Sequence, residues 1–317
     1  MIWKHAFKRT RRLRDARSKR NFANVLLSVP DAIIVHCHRR ILSRIAILIS
    51  SLIYERNPLA SSLTDIRTTT FPDFDGAPLA VHEVGAADHW PLLLLHGLFS
   101  NAETNWIKYG HAQTLAEAGF RVIMPDLRAH GQSAAPHEAE AYPHNVLLKD
   151  VQALIGALGL VDGHYDIGGF SLGARTTAGL LADGVLPRRA ILSGMGLEGL
   201  SGWEGRRQFF LDAIDNRETV KREDPHFMAV MFMKTMKIDP VAARLLLAAG
   251  IDVDLSALVA VDLPIGVICG DQDQDNGSAP VLATRLAHGR YIEVPGTHMS
   301  CIARPELGQA IRDFLVS

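Results

Sequence analysis

The chain has 317 residues, 48% of them hydrophobic, enough to bury a large core and more than a typical single small domain needs. Its net charge of −1 conceals an asymmetry: residues 1–63 carry +10 and the remainder −11, so the body is acidic, which argues against nucleic acid as its main partner. Three cysteines, Cys37, Cys269 and Cys301, are too few and too odd in number for a disulfide framework and fit a reducing compartment, the cytoplasm.

The first twenty residues hold nine basic side chains and one Asp, a run that repels itself and implies no fold. Within residues 41–53 the polar Ser43, Arg44, Ser50 and Ser51 recur seven apart, on one side of a helix. That stretch reads as amphipathic rather than spanning, because a membrane span needs about 20 apolar residues. Residues 1–62 are therefore expected to be a basic N-terminal extension, flexible or amphipathic. It is either a weak peripheral tether to an anionic membrane surface or an upstream extension without a role, the second being favoured. His36-Cys37-His38 cannot surround one tetrahedral ion, so no metal is implied.

From about Thr64 short β-like runs alternate with helical patterns. The runs lie at 67–71, 79–84, 91–97, 121–127, 165–170, 189–195, 264–271 and 290–296, and the helix candidates at 104–118, 144–158, 172–183, 278–287 and 305–315. The first two runs are joined by Asp73-Phe74-Asp75-Gly76, a hairpin-like connection, whereas the later ones are continuous apolar stretches of the kind buried on both faces. The expected class is α/β, a mostly parallel eight-stranded sheet with helices on both faces. Residues 198–257 contain no β-like run and hold apolar-periodic stretches at 208–214, 227–236 and 241–249, which predicts a helical insertion over the sheet.

Gly169-Phe170-Ser171-Leu172-Gly173 is a G-x-S-x-G pentapeptide placed between a strand-like and a helix-like segment. A serine displayed on so sharp a turn needs neighbours without side chains. A serine hydroxyl is a weak nucleophile near neutral pH, so it also requires a base and a group to orient that base. His298 follows the last β-like run, and Asp273 follows the one before it, giving the order Ser171, Asp273, His298. Asp271 and Asp275 flank the acid and compete with it on position alone. His96-Gly97-Leu98-Phe99 ends the earliest buried run, where a main-chain N–H can turn towards the serine. The N–H groups of Leu98 and Leu172 are the candidate oxyanion donors.

With these four elements the chain resembles the α/β-hydrolase superfamily over roughly residues 65–317. Asp126-Leu127-Arg128-Ala129-His130-Gly131-Gln132-Ser133 is similar to that family's D-x-R-G-x-G-x-S segment, with Ala129 where glycine is usual. The G-x-x-D spacing from Gly270 selects Asp273 as the acid. The resemblance implies an α/β-hydrolase core at 63–197 and 258–317, a helical cap at 198–257, and a serine hydrolase acting on a carboxylic ester, thioester or lactone of small to medium size. The partner is a small-molecule acyl substrate, and no cofactor is needed. Phe99, Trp106, Met231 and Phe232 are the expected substrate-binding residues, while Met228, Met233 and Met236 either line a pocket or pack a cap helix. His96, Asp126 and Arg128 are expected to hold loops rather than do chemistry, and Cys301 to be a buried, inert thiol.

Carbon–carbon bond hydrolysis and perhydrolysis use the same triad, and a non-catalytic ligand-binding homologue shares the fold, so these stand as alternatives. Epoxide hydrolases and haloalkane dehalogenases of this fold use an Asp nucleophile. Ser171 at that position disfavours both.

Overall fold

The leucines at 92–95 show why the middle runs are continuous rather than alternating. All four are fully buried, but Leu93 and Leu95 point into one apolar core while Leu92 and Leu94 point into another. A strand alternates its side chains between faces, so a strand covered on both sides must be apolar at every position. The computed structural model describes residues 65–317, and the expectations for residues 1–62 lie outside the described residues.

The strands are β1 (Arg67–Pro72), β2 (Pro78–Val84), β3 (Trp90–Leu95), β4 (Phe120–Pro125), β5 (Asp166–Phe170), β6 (Arg189–Ser193), β7 (Ile265–Gly270) and β8 (Gly289–Val294). They form one sheet in the order β1-β2-β4-β3-β5-β6-β7-β8. β2 pairs antiparallel with β1 and β4, and every other neighbouring pair is parallel. All eight expected runs are strands of this sheet, and Asp73–Gly76 forms the β1–β2 turn with Gly76 at φ 89°.

On one face lie α1 (His111–Glu117) and α10 (Pro305–Val316), which bury Leu115, Leu307, Ile311 and Phe314 against Leu92, Leu94 and Val122. On the other lie α2 (Val146–Ala157), α3 (Leu172–Ala182) and α9 (Ala279–Arg285), packed on Leu93, Leu95 and Ile167 through Leu148, Val151, Leu180 and Leu282. Each such side chain contributes about 1.5–3 kcal/mol by leaving water.

The helix expected over 104–118 is two pieces. A π-turn spans Glu103–Ile107, and α1 starts only after Gly110, whose φ of 80° no continuous helix allows. Between β6 and β7 the chain forms α4 (Leu197–Ser201), α5 (Trp203–Asp215), α6 (Phe227–Thr235), α7 (Pro240–Ala249) and α8 (Leu255–Val259). α7 and α8 begin where Asp239 and Asp254 accept hydrogen bonds from main-chain amides, ordinary N-caps. Phe99, Ile214, Met233, Ile238, Ala243 and Leu247 make a third, smaller apolar cluster that joins this helical segment to the loop after β3. Among the described residues no helix is long and apolar enough to cross a membrane.

Candidate active site

β5 ends at Phe170 and α3 begins at Leu172, so Ser171 alone makes the turn, at φ 53° and ψ −107°. This is strained backbone for a residue with a side chain. The flanking glycines are required by contact. A Cβ on Gly169 would lie 2.2 Å from the Gly173 carbonyl carbon, and one on Gly173 would lie 2.1 Å from the Leu95 oxygen.

Nε2 of His298 faces the Ser171 Oγ at 3.1 Å, and Nδ1 of His298 is 2.8 Å from Asp273 Oδ2. With Nδ1–H donating to the carboxylate, Nε2 is left to accept from the hydroxyl. His298 and Asp273 are both buried, and the imidazole packs on the Phe170 ring at 4.9 Å. The other oxygen of Asp273 accepts the Asp275 amide at 3.0 Å. The neighbouring acids are engaged elsewhere: Asp271 accepts the Gly296 amide at 2.7 Å, and Asp275 pairs with Arg206 at 3.2 Å.

Leu98 follows β3, beside β5. Leu172 opens α3, so its N–H has no intrahelical acceptor. Around Leu98 the loop amides are taken: Gly97 N–H donates to Asn105 Oδ1 at 3.0 Å, Phe99 N–H to His130 Nε2 at 3.0 Å, and Ser100 N–H to the Gly97 carbonyl at 3.2 Å. The Leu98 N–H is left without an acceptor among the described residues. Phe99 is held at φ 58°, a second strained position beside the site.

The loops rest on a buried polar frame. His96 Nδ1–H donates to the Gly97 carbonyl at 2.8 Å, and its Nε2 accepts the Leu127 amide at 2.9 Å. His130 Nδ1–H likewise donates to the Arg128 carbonyl at 2.9 Å. Burial lowers the pKa of both rings, that of His130 to about 3 with His96 adding to the effect, so both stay neutral and neither is a competing base. Burial alone would raise the pKa of Asp126. The His82 ring, His96 and the Ala102 and Gln132 amides outweigh it and hold the carboxylate below its usual range. Arg128, fully buried, donates to Asp150, Asp73, Asp75 and the Ala141 carbonyl. His96, Asp126 and Arg128 therefore hold loops, as expected. Ala129 adopts φ 66°, so the left-handed turn usual for glycine at this point is kept by an alanine.

Ser171 and His298 line a cavity of about 1040 Å³ between the strand ends and the helical segment. Phe99, Met231 and Phe232 line it as well, together with Phe170, Trp203, Phe209, Phe210 and Met228. Trp106 does not. Its side chain is 0% exposed and packed among Ala102, Ala112 and Leu115, because the π-turn aims it down into the sheet. The methionines divide: Met228 and Met231 line the cavity, Met233 packs in the third cluster, and Met236 accepts a hydrogen bond from Thr104 Oγ1 at 3.6 Å. Cys269 and Cys301 are buried, and burial pushes both thiols up to about 12, which leaves them inert. Asn105 and His130, which hold the loop after β3, were not marked for that task by any spacing in the sequence.

Sheet order, strand-end loops and elbow together define the class: the fold is an α/β-hydrolase fold. The family model described as alpha/beta hydrolase fold matches residues 91–190. The chain is 42% identical over 67 residues to bifunctional epoxide hydrolase 2 of Sus scrofa, a stretch covering 21% of this chain and only 12% of that protein. Its fold is similar to that of the enol-lactonase from Burkholderia xenovorans LB400, with TM-score 0.60 and 21% identity, covering 78% of this chain and 100% of that one. It is also similar to that of 2-hydroxy-6-oxo-6-phenylhexa-2,4-dienoate hydrolase from Rhodococcus sp. strain RHA1, with TM-score 0.61 and 20% identity, covering 80% and 99%.

Proposed function

We propose that the protein is a serine hydrolase that cleaves a carboxylic ester, thioester or lactone of small to medium size through an acyl-enzyme on Ser171. The observation that carries this reading is the continuous Ser171–His298–Asp273 hydrogen-bond chain on the wall of a large apolar cavity. In it His298 takes the hydroxyl proton as Ser171 Oγ attacks the carbonyl carbon, while Asp273 fixes the tautomer and balances the imidazolium. The Leu98 and Leu172 amides receive the charge that develops on the carbonyl oxygen. Collapse expels the alcohol, thiol or lactone hydroxyl, protonated by His298. Water, deprotonated by the same imidazole, then releases the acid.

The Sus scrofa relative carries an epoxide hydrolase name, but the chemistry that suits a serine at the elbow is acyl transfer. An epoxide opened by the Ser171 hydroxyl would leave an ether on the enzyme, with no carbonyl for water to attack. An acyl group on Ser171 is an ester, which the same oxyanion donors can activate a second time. The α4–α8 segment acts in this reading as a cap, and its aromatic and methionine side chains suit an apolar acyl or aryl group.

Labelling of the full chain with a fluorophosphonate, alongside the Ser171→Ala variant and a panel of p-nitrophenyl esters of increasing acyl length, tests the proposal. Labelling lost on substitution, with ester turnover by the wild type, is expected. A wild type that neither labels nor turns over any ester would return the non-catalytic alternative.

A further inference from the structure

Arg175 stands one turn into α3, its main-chain N–H donating to the Ser171 carbonyl, with its side chain buried at 4% exposure. Among the described residues its guanidinium meets no carboxylate at ion-pair distance, and its donors go to main-chain carbonyls. Nη1 donates to Gly199 and Leu200 at 2.6 and 3.1 Å, while Nη2 and Nε donate to Ile251 at 2.7 and 3.2 Å. Gly199 and Leu200 lie where the chain enters the α4–α8 segment, and Ile251 lies between α7 and α8, near its exit. The Trp203 ring is 5.0 Å from the guanidinium carbon.

This is a costly arrangement. Burial lowers the guanidinium pKa to about 10, the cation occupies the first turn of a helix where the macrodipole opposes it, and an apolar side chain would fill the space more cheaply. What the bonds hold explains the cost. A gap of about 10 Å³ is lined by Leu98, Leu172, Trp203, Leu246, Leu247 and Ile251. The side chains of both candidate oxyanion residues thus rest against the wall that Arg175 ties to the nucleophile helix at both ends.

We propose that Arg175 is a positioning residue for the oxyanion hole, holding the helical segment against Leu98 and Leu172 so that their amides converge on one oxygen. The proposal rests on the acyl-transfer reading above. Such donors act only within about 2.7–3.1 Å of the oxyanion, and a misplacement of about 1 Å can cost about 100-fold in rate. The helical segment then does more than select substrates, because its inner wall sets the geometry of the transition state.

The test compares Arg175→Gln, Arg175→Lys and Leu246→Ala with the wild type in the full chain, measuring kcat and KM on p-nitrophenyl butyrate and affinity for a phenylboronic acid. The boronate adds to the serine and places an oxygen between the two amides. Arg175→Gln is expected to lower kcat about 10- to 100-fold with KM within about twofold, and to weaken the boronate by a similar factor. Lysine, able to reach one end of the segment, should restore part of the loss, and Leu246→Ala should show a smaller loss of the same kind. If Arg175→Gln does not fold, the other two variants carry the test on the same readouts. Raised KM with unchanged kcat and boronate affinity would overturn the proposal and leave Arg175 as a tie for the cap alone. A wild type without esterase activity would overturn the acyl-transfer reading and this inference together, whereas an active wild type with unaffected variants overturns only this one.

Discussion

Asp273 meets Nδ1 of His298 at 2.8 Å, while Asp271 and Asp275, two residues to either side, point to the Gly296 amide and to Arg206. One carboxylate can hold the imidazole in the tautomer that accepts from Ser171. Asp273→Asn should therefore lower kcat on the order of 10⁴-fold, because the amide favours the wrong tautomer. Asp271→Asn and Asp275→Asn should stay within about tenfold of the wild type on the same scale. Steady-state kinetics of the three purified variants on one ester distinguishes them, and a crippled Asp275→Asn would move the acid assignment.

Ser171→Ala and His298→Ala each remove a member of a unit and should each abolish turnover, by on the order of 10⁶-fold. Ser171 makes the elbow rather than the core, so circular dichroism and thermal unfolding of Ser171→Ala should be nearly unchanged. His298→Ala also removes the ring packed on Phe170 and the partner of the buried Asp273, and should keep its circular dichroism with a lower Tm. A Ser171→Ala protein with normal folding and near-normal turnover would sink the nucleophile assignment.

Much of this architecture is legible from pattern alone, for a physical reason. Strands buried on both faces leave unbroken apolar runs such as Pro91–Leu95 and Pro264–Ile268, and the elbow leaves glycines that no other residue could replace. What could not be read depends on contacts distant in sequence. Asn105 holds Gly97 across 8 positions, His130 holds Phe99 across 31, and Arg175 reaches Ile251 across 76. Trp106 is expected among the substrate-binding residues. The break at Gly110 and the π-turn before it send the indole into the core instead.

Arg128 is a stability device whose removal should be severe. It pairs with Asp73, Asp75 and Asp150 from a fully buried position, joining the β1–β2 turn, the loop after β4 and α2. Arg128→Met leaves those carboxylates without their cation and should cost about 3–5 kcal/mol, roughly 10 °C in Tm. The penalty should shrink from pH 8 to pH 5, as the stranded carboxylates take up protons. Burial already raises Asp73 to about 6 with the arginine present. Scanning calorimetry of both proteins across that range checks it, and a penalty independent of pH would contradict the charge argument.

His144 ties the far end of α7 to the start of α2, with Nδ1 on the Ala249 carbonyl and Nε2 on Asp252, each at 2.8 Å. The Ala249 carbonyl and then Asp252 raise its pKa above the ordinary histidine value. A raised pKa means the folded state binds the proton more tightly. The added stability is fully present below about 6.5 and is lost as pH rises through the folded-state value. The pair is exposed, so the effect should be under about 1 kcal/mol. The Tm difference between wild type and His144→Ala should be largest near pH 5.5 and smallest near pH 8.5, as measured by thermal shift. A difference that grows with pH would reverse the sign and refute the pairing.

Phe232 and Trp106, both expected at the substrate, occupy different places. Phe232 lines the cavity with Met231 and is only partly buried, whereas Trp106 is sealed in the core beneath the loop after β3. Met231→Ala and Phe232→Ala remove surface that touches substrate equally in ground and transition states. They should therefore raise KM for long acyl chains several-fold, with kcat for a short ester nearly unchanged. Trp106→Ala opens a cavity among Ala102, Ala112 and Leu115, which should cost about 3–5 kcal/mol and lower Tm without changing the order of preference among chain lengths. Profiling C2 to C12 p-nitrophenyl esters at a temperature where all three variants remain folded separates the two effects. A chain-length preference shifted by Trp106→Ala and untouched by Phe232→Ala would show that the substrate enters from the sheet side of the loop, not beneath α6.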